Sequence, residues 1–87
     1  MKNPIPVLSV GSLAYFDTYA GMIPCKVLKL TENDATIQLT AKRGAYKRGE
    51  IIETAARWHV VPRTAVYSRS GRIHIAQYTV APQAGIA

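Results

Sequence analysis

Apolar and polar positions alternate most cleanly over Ala35-Thr36-Ile37-Gln38-Leu39-Thr40, with Ala35, Ile37 and Leu39 on one side and the polar residues on the other. A period of two is the mark of a half-buried strand. Weaker versions of the same signal flank it. Leu13-Ala14-Tyr15-Phe16-Asp17-Thr18-Tyr19 is aromatic-rich and bounded by Gly11 and Gly21. Ile23 to Leu30 is an apolar run with Pro24 near its start, where a strand tolerates proline. Glu32-Asn33-Asp34 is turn-prone, because Asn and Asp side chains bond their own backbone. Glu50 to Thr54 predicts another strand, and Val60-Val61-Pro62-Arg63 a short one that Pro62 ends or confines to an edge. Ser68-Arg69-Ser70-Gly71 is a turn, and Arg72 to Val80 predicts a last strand with Ile73 and Ile75 on one side.

Five or six short strands with turns every eight to twelve residues predict an all-β fold of antiparallel strands, a small barrel or sandwich. Ala55-Ala56-Arg57-Trp58 offers no more than a single helical turn. The expected core comprises Leu13, Val27, Leu28, Ile37, Leu39, Ile52, Val60 and Ile73, with Trp58 as core or core lid. Residues 1–9, carrying Pro4 and Pro6, read as an extended leader, residues 10–80 as the domain and residues 81–87 as a flexible tail.

The residues Val10-Gly11-Ser12-Leu13-Ala14-Tyr15, then Gly21, then Lys26-Val27-Leu28-Lys29-Leu30 resemble the opening hairpin of SH3-like barrels, the group that includes KOW and Tudor modules. Gly49-Glu50-Ile51-Ile52 and Val60-Val61-Pro62-Arg63 resemble the closing strands of such barrels. The likeness spans roughly Val10 to Arg63 and is one of pattern; neither an aromatic cage nor a peptide groove is visible in the spacing. In style the chain is also similar to small proteins of bacteriophages and mobile elements.

Composition adds a direction. The chain has 87 residues, one domain's worth, and eleven Lys and Arg against five acids, for a net charge of +6. Such a balance suits a polyanionic partner. Eight of the eleven cations lie between Lys42 and Arg72. The loop Lys42-Arg43-Gly44-Ala45-Tyr46-Lys47-Arg48-Gly49 places four of them around one aromatic ring and two glycines. Cations attract phosphates, glycines let backbone approach them, and an exposed Tyr46 can stack on a base. The competing reading is a solvated hairpin whose charges discourage edge aggregation, with Tyr46 packed across its base. Arg57, Arg63, Arg69 and Arg72 join the patch if the two basic turns share a side. Arg63 has the alternative of pairing with Glu50 or Glu53.

Catalytic and metal chemistry is poorly served, and no cofactor is expected. His59, His74 and Cys25 are too few for a zinc site without carboxylates. A Ser-His-Asp arrangement would need Asp17 or Asp34 beside a histidine, and no nucleophile elbow accompanies any serine. Cys25 has no disulfide partner in the chain and reads as a buried thiol. No apolar span of membrane length is present.

The expectation is a cytoplasmic, non-enzymatic binding module, in the host cytoplasm if phage-encoded, whose partner is DNA or RNA. The alternative is a phage-type interaction module, such as an anti-defence inhibitor or accessory factor, docking on an acidic protein surface. Self-association through an exposed edge over Arg72 to Val80 is a third possibility.

Overall fold

A computed structural model describes residues 5–81. The order of elements is β1 (Val7–Leu8), β2 (Leu13–Thr18), β3 (Gly21–Leu30), β4 (Asp34–Leu39), β5 (Ile51–Ala56), the 3-10 turn η1 (Arg57–His59), β6 (Val60–Pro62), a second 3-10 turn η2 (Arg63–Ala65), β7 (Val66–Arg69), β8 (Arg72–Ile75) and β9 (Thr79–Val80). The fold is all-β, as the alternation implies.

Five strands form one antiparallel sheet in the order β5-β4-β3-β2-β6. The first four are a meander, and β6 returns to pair with β2, Phe16 opposite Val60 and Ala14 opposite Pro62. Pro62 thus lies in an edge strand, where its missing N–H costs no ladder bond. The barrel-like sheet is not closed: among the described residues β5 pairs only with β4 and β6 only with β2, so the sheet stays open along those two edges. It is nevertheless strongly coiled. Five strands laid flat would hold their outer members about 19 Å apart. Only η1 joins β5 to β6, and four Cα steps reach at most about 14 Å.

The core lies inside this curl. Leu8, Ile23, Cys25, Val27, Ile37 and Val60 are fully buried, with Leu30, Ala35 and Leu39 nearly so. On β4 the buried residues are Ala35, Ile37 and Leu39, the set that the alternation selects.

Three expected core residues lie outside it, each for a local reason. On β2 the inward parity belongs to Ala14 and Phe16, which leaves Leu13 about half exposed. On β3 Ile23, Cys25 and Val27 point inward until the register shifts between Val27 and Lys29. This bulge turns Leu28 outward and returns Leu30 to the core, the usual effect of one extra residue in a ladder. Ile73 belongs to the β7–β8 hairpin, a separate two-stranded ladder with all of β8 exposed. Trp58 is 64% exposed rather than a core lid, because η1 buries none of its residues and Val60 is the next side chain to enter the core.

The predicted strand from Arg72 to Val80 is split. Ala76 donates its backbone N–H to the Ala65 carbonyl at 2.7 Å, and the chain leaves the hairpin there. Tyr78 and Val80 then pack against the core, and β9 pairs in parallel with β1. That parallel pair departs from the wholly antiparallel expectation. Leu8, within the segment expected as an extended leader, is fully buried beside it. Residues 1–4 and 82–87, the remainder of the expected leader and nearly all of the tail, lie outside the described residues.

Candidate functional site

The basic loop connects β4 to β5 and consists of two tight turns. Arg43 and Tyr46 exchange backbone hydrogen bonds, Arg43 N–H to the Tyr46 carbonyl at 3.1 Å and Tyr46 N–H to the Arg43 carbonyl at 2.8 Å, with Gly44 and Ala45 at the tip. In the second turn, Glu50 donates its N–H to the Lys47 carbonyl at 3.1 Å, and its carboxylate accepts the Lys47 backbone N–H at 3.0 Å. Gly49 then donates to the Leu39 carbonyl at 2.7 Å and closes the loop on β4.

Gly44 fixes where the loop lies. Its φ of +54° is a left-handed conformation that glycine adopts without strain. A Cβ there would stand 3.3 Å from Ala20 Cβ, so the first turn rests on the connection between β2 and β3. Tyr46 is half-buried against the core, edge-on to Phe16 with ring centroids 6.0 Å apart, and 6.4 Å from Tyr19. The aromatic thus both packs across the loop base and keeps part of its ring at the surface. Lys42, Arg43, Lys47 and Arg48 are all exposed around it.

The other predicted cations are placed differently. Arg63 neither joins the loop nor pairs with Glu50 or Glu53 in its hydrogen bonding: its Nε donates to the Ala14 carbonyl at 3.2 Å and its Nη2 to Thr40 Oγ1 at 3.4 Å. Its guanidinium lies 5.4 Å from the centre of the Tyr15 ring, so it braces the sheet from β2 to β4. Arg57 is half-buried in η1, and its backbone N–H bonds the Asn33 carbonyl at 3.0 Å, at the turn between β3 and β4. Arg69 and Arg72 face each other across the last rung of the β7–β8 ladder and are exposed. That second basic turn therefore sits on a ladder of its own.

A groove of about 380 Å³ opens beside the loop, lined by Phe16, Asp17, Thr18, Tyr19, Tyr46 and His59. Of its lining, Tyr46 belongs to the loop the sequence singles out, whereas the groove as such was not anticipated. The available signal is Tyr19, an aromatic at the mouth of a turn before Gly21; it is 87% exposed, with its ring beside Tyr46. Asp17 and His59 both line the groove, and no serine does. The Thr18 hydroxyl is committed to its own turn, donating to the Gly21 carbonyl at 2.8 Å and accepting the Ala20 N–H at 3.1 Å.

Among the described residues no three His, Cys, Asp or Glu side chains converge on a metal position, and no helix is long and apolar enough to cross a membrane. His74 stacks on Tyr67 with ring centroids 5.3 Å apart. Cys25 is a buried free thiol, and burial pushes it up to about 11 against the opposing pull of the Arg63 guanidinium. A thiol held protonated in this way is a poor nucleophile. Compared with protein-family models, curated proteins and solved structures, the chain matches none of them.

Proposed function

We propose that this chain is a non-catalytic nucleic-acid-binding module whose contact surface is the loop Lys42–Gly49. The observation that carries the reading is the loop itself: four exposed cations on a backbone held by two hydrogen-bonded turns and anchored by Tyr46. A braced loop loses little conformational freedom when it meets a charged surface, so more of the phosphate attraction remains as affinity. The attraction to phosphates is independent of sequence. The assignment to the SH3-like group belongs to the same reading, supported by a four-strand meander, a 3-10 turn and a fifth strand returning beside the first.

The test is fluorescence anisotropy with labelled DNA and RNA at about 50 and 200 mM salt. If all four cations contact phosphates, duplex affinity falls by about a hundredfold across that range, from a log–log slope near −0.9 per contact. Replacing Lys42, Arg43, Lys47 and Arg48 by Ala abolishes binding with little change in melting temperature. Undiminished binding by that variant refutes the assignment of the loop.

A second reading draws on the hairpin. Ile73 is 63% and Ile75 44% exposed, apolar area of the kind that anchors protein interfaces. An inhibitor or accessory factor docking on an acidic protein surface would use it. Co-purification of one host protein, surviving nuclease treatment, favours that reading over nucleic acid. A dimeric mass in light scattering would point instead to self-pairing at the open edge of β8.

A further inference from the structure

We infer that the groove between the β2–β3 connection, the basic loop and η1 is a pocket for one unpaired nucleobase, so that the module selects single strands over duplex and favours guanine in the pocket. This rests on the loop being the phosphate-binding surface and adds what lies beside the phosphates.

Three features of the groove support the assignment. The first is its aromatic lining. Phe16 and Tyr46 form an edge-to-face floor, and Tyr19 stands 87% exposed at the side with its ring inclined at 49° to Tyr46. At 6.4 Å between centroids Tyr19 and Tyr46 are too close to sandwich a base, so the stack is made on Tyr19 alone, whose 87% exposure leaves its ring open to one. The second is position. Tyr46 lies midway between Arg43 and Arg48, so a strand whose base enters the groove carries its neighbouring phosphates past the cations. In a duplex, base stacking covers both faces and pairing covers the Watson–Crick edge, which denies the ring to the groove.

The third is hydrogen-bonding character. Asp17 is the one lining residue whose ionised side chain only accepts hydrogen bonds. The Thr18 hydroxyl beside it is already engaged with Gly21. Asp17 is part of the groove's lining, and a carboxylate turned to the bound base repels phosphate and attracts paired N–H donors. Guanine presents two adjacent donors on its Watson–Crick edge, a fork that a carboxylate's two oxygens match, whereas thymine presents one.

Trp58 gives a built-in reporter. It is the sole tryptophan, 64% exposed, and its ring lies edge-on, at 6.2 Å, to His59, which lines the groove.

The experiment titrates the full chain with a short thymine oligonucleotide, the same oligonucleotide carrying one central guanine, and a duplex of equal length, following anisotropy and Trp58 emission. The guanine-bearing strand should bind tightest, the duplex weakest, and Trp58 emission should be quenched only by single strands. Tyr19→Ala should lower single-strand affinity by roughly ten- to a hundredfold, the range for loss of one base–aromatic stack, and leave duplex affinity and melting temperature unchanged. Asp17→Asn should erase the difference between the guanine and thymine strands.

Equal affinity for single strand and duplex, with Tyr19→Ala silent, overturns the pocket and leaves the loop standing. Single-strand preference without discrimination by Asp17→Asn overturns the guanine assignment. Failure to bind any oligonucleotide at low salt removes the loop reading and the pocket together.

Discussion

Two basic turns of similar composition are held in opposite ways. The turn at Gly44 belongs to a loop that rests on Ala20, returns a hydrogen bond to Leu39 and drives Tyr46 against the core. The turn at Ser70–Gly71, with φ of +54° and +75°, joins β7 and β8 as a two-residue hairpin flanked by Arg69 and Arg72. Both central residues take the left-handed region, the geometry that matches strand twist in a tight hairpin. Yet among the described residues that hairpin pairs only with itself, and an isolated two-stranded ladder is marginally stable in water. Charge at a turn therefore says little until the backbone beneath it is known: one set of cations is pre-positioned by the sheet, and the other rides on a segment that can open alone.

The largest test of this contrast compares two isoleucines. Ile37 is fully buried in β4 and Ile73 is 63% exposed in β8. Ile37→Ala should cost about 2–5 kcal/mol in urea unfolding, the range for a large-to-small core change. Ile73→Ala should stay within about 0.5 kcal/mol, as surface substitutions do. Comparable losses would mean that the hairpin is part of the cooperative core.

A smaller effect separates the two glycines. Gly44→Val forces a branched side chain into a left-handed conformation, at about 1–2 kcal/mol, and pushes it onto Ala20. Gly71→Val meets the same backbone penalty with nothing within 4 Å. The first should lower the unfolding midpoint of the sheet and weaken binding. The second should mainly accelerate amide exchange in β7 and β8, since local opening absorbs it. An equal fall in midpoint for both would erase the distinction.

A pH-dependent effect comes from Cys25, on the braced side. Its folded pKa is raised, from the ordinary 9.0 to about 11, so the neutral thiol favours the folded state. That contribution is complete below the unfolded value and is lost as pH rises through the folded one. Between pH 9.0 and about 11 the wild type should lose melting temperature more steeply than Cys25→Ala. Parallel curves would show that the thiol is less buried than its place in the sheet implies.

The sequence carried the sheet better than the site. β4 was legible because Ala35, Ile37 and Leu39 alternate with polar residues that have no reason to be inside. Leu28 was not, since a bulge changes inward parity without marking the sequence; Leu28 sits in an apolar run whichever way it points. Trp58 misled because size suggests burial, whereas a three-residue turn between two strands leaves its side chains outside. The cations of the loop could be read directly, but the groove could not. It is assembled from β2, the loop and η1: the β2–β6 pairing sets His59 beside Asp17, and the packing of Tyr46 on Phe16 brings in the loop.

Apart from the five-stranded sheet, strands from opposite ends of the described chain form a pair of their own. Val7 sits beside Thr79 and Leu8 beside Val80, with the Ala81 N–H bonded to the Leu8 carbonyl at 2.8 Å. Topologically the fold is close to a ring. What defines it is the cyclic order of its elements, and the position at which the polypeptide is interrupted is a secondary matter, to be chosen among turns that, like Ser70–Gly71, no core residue depends on.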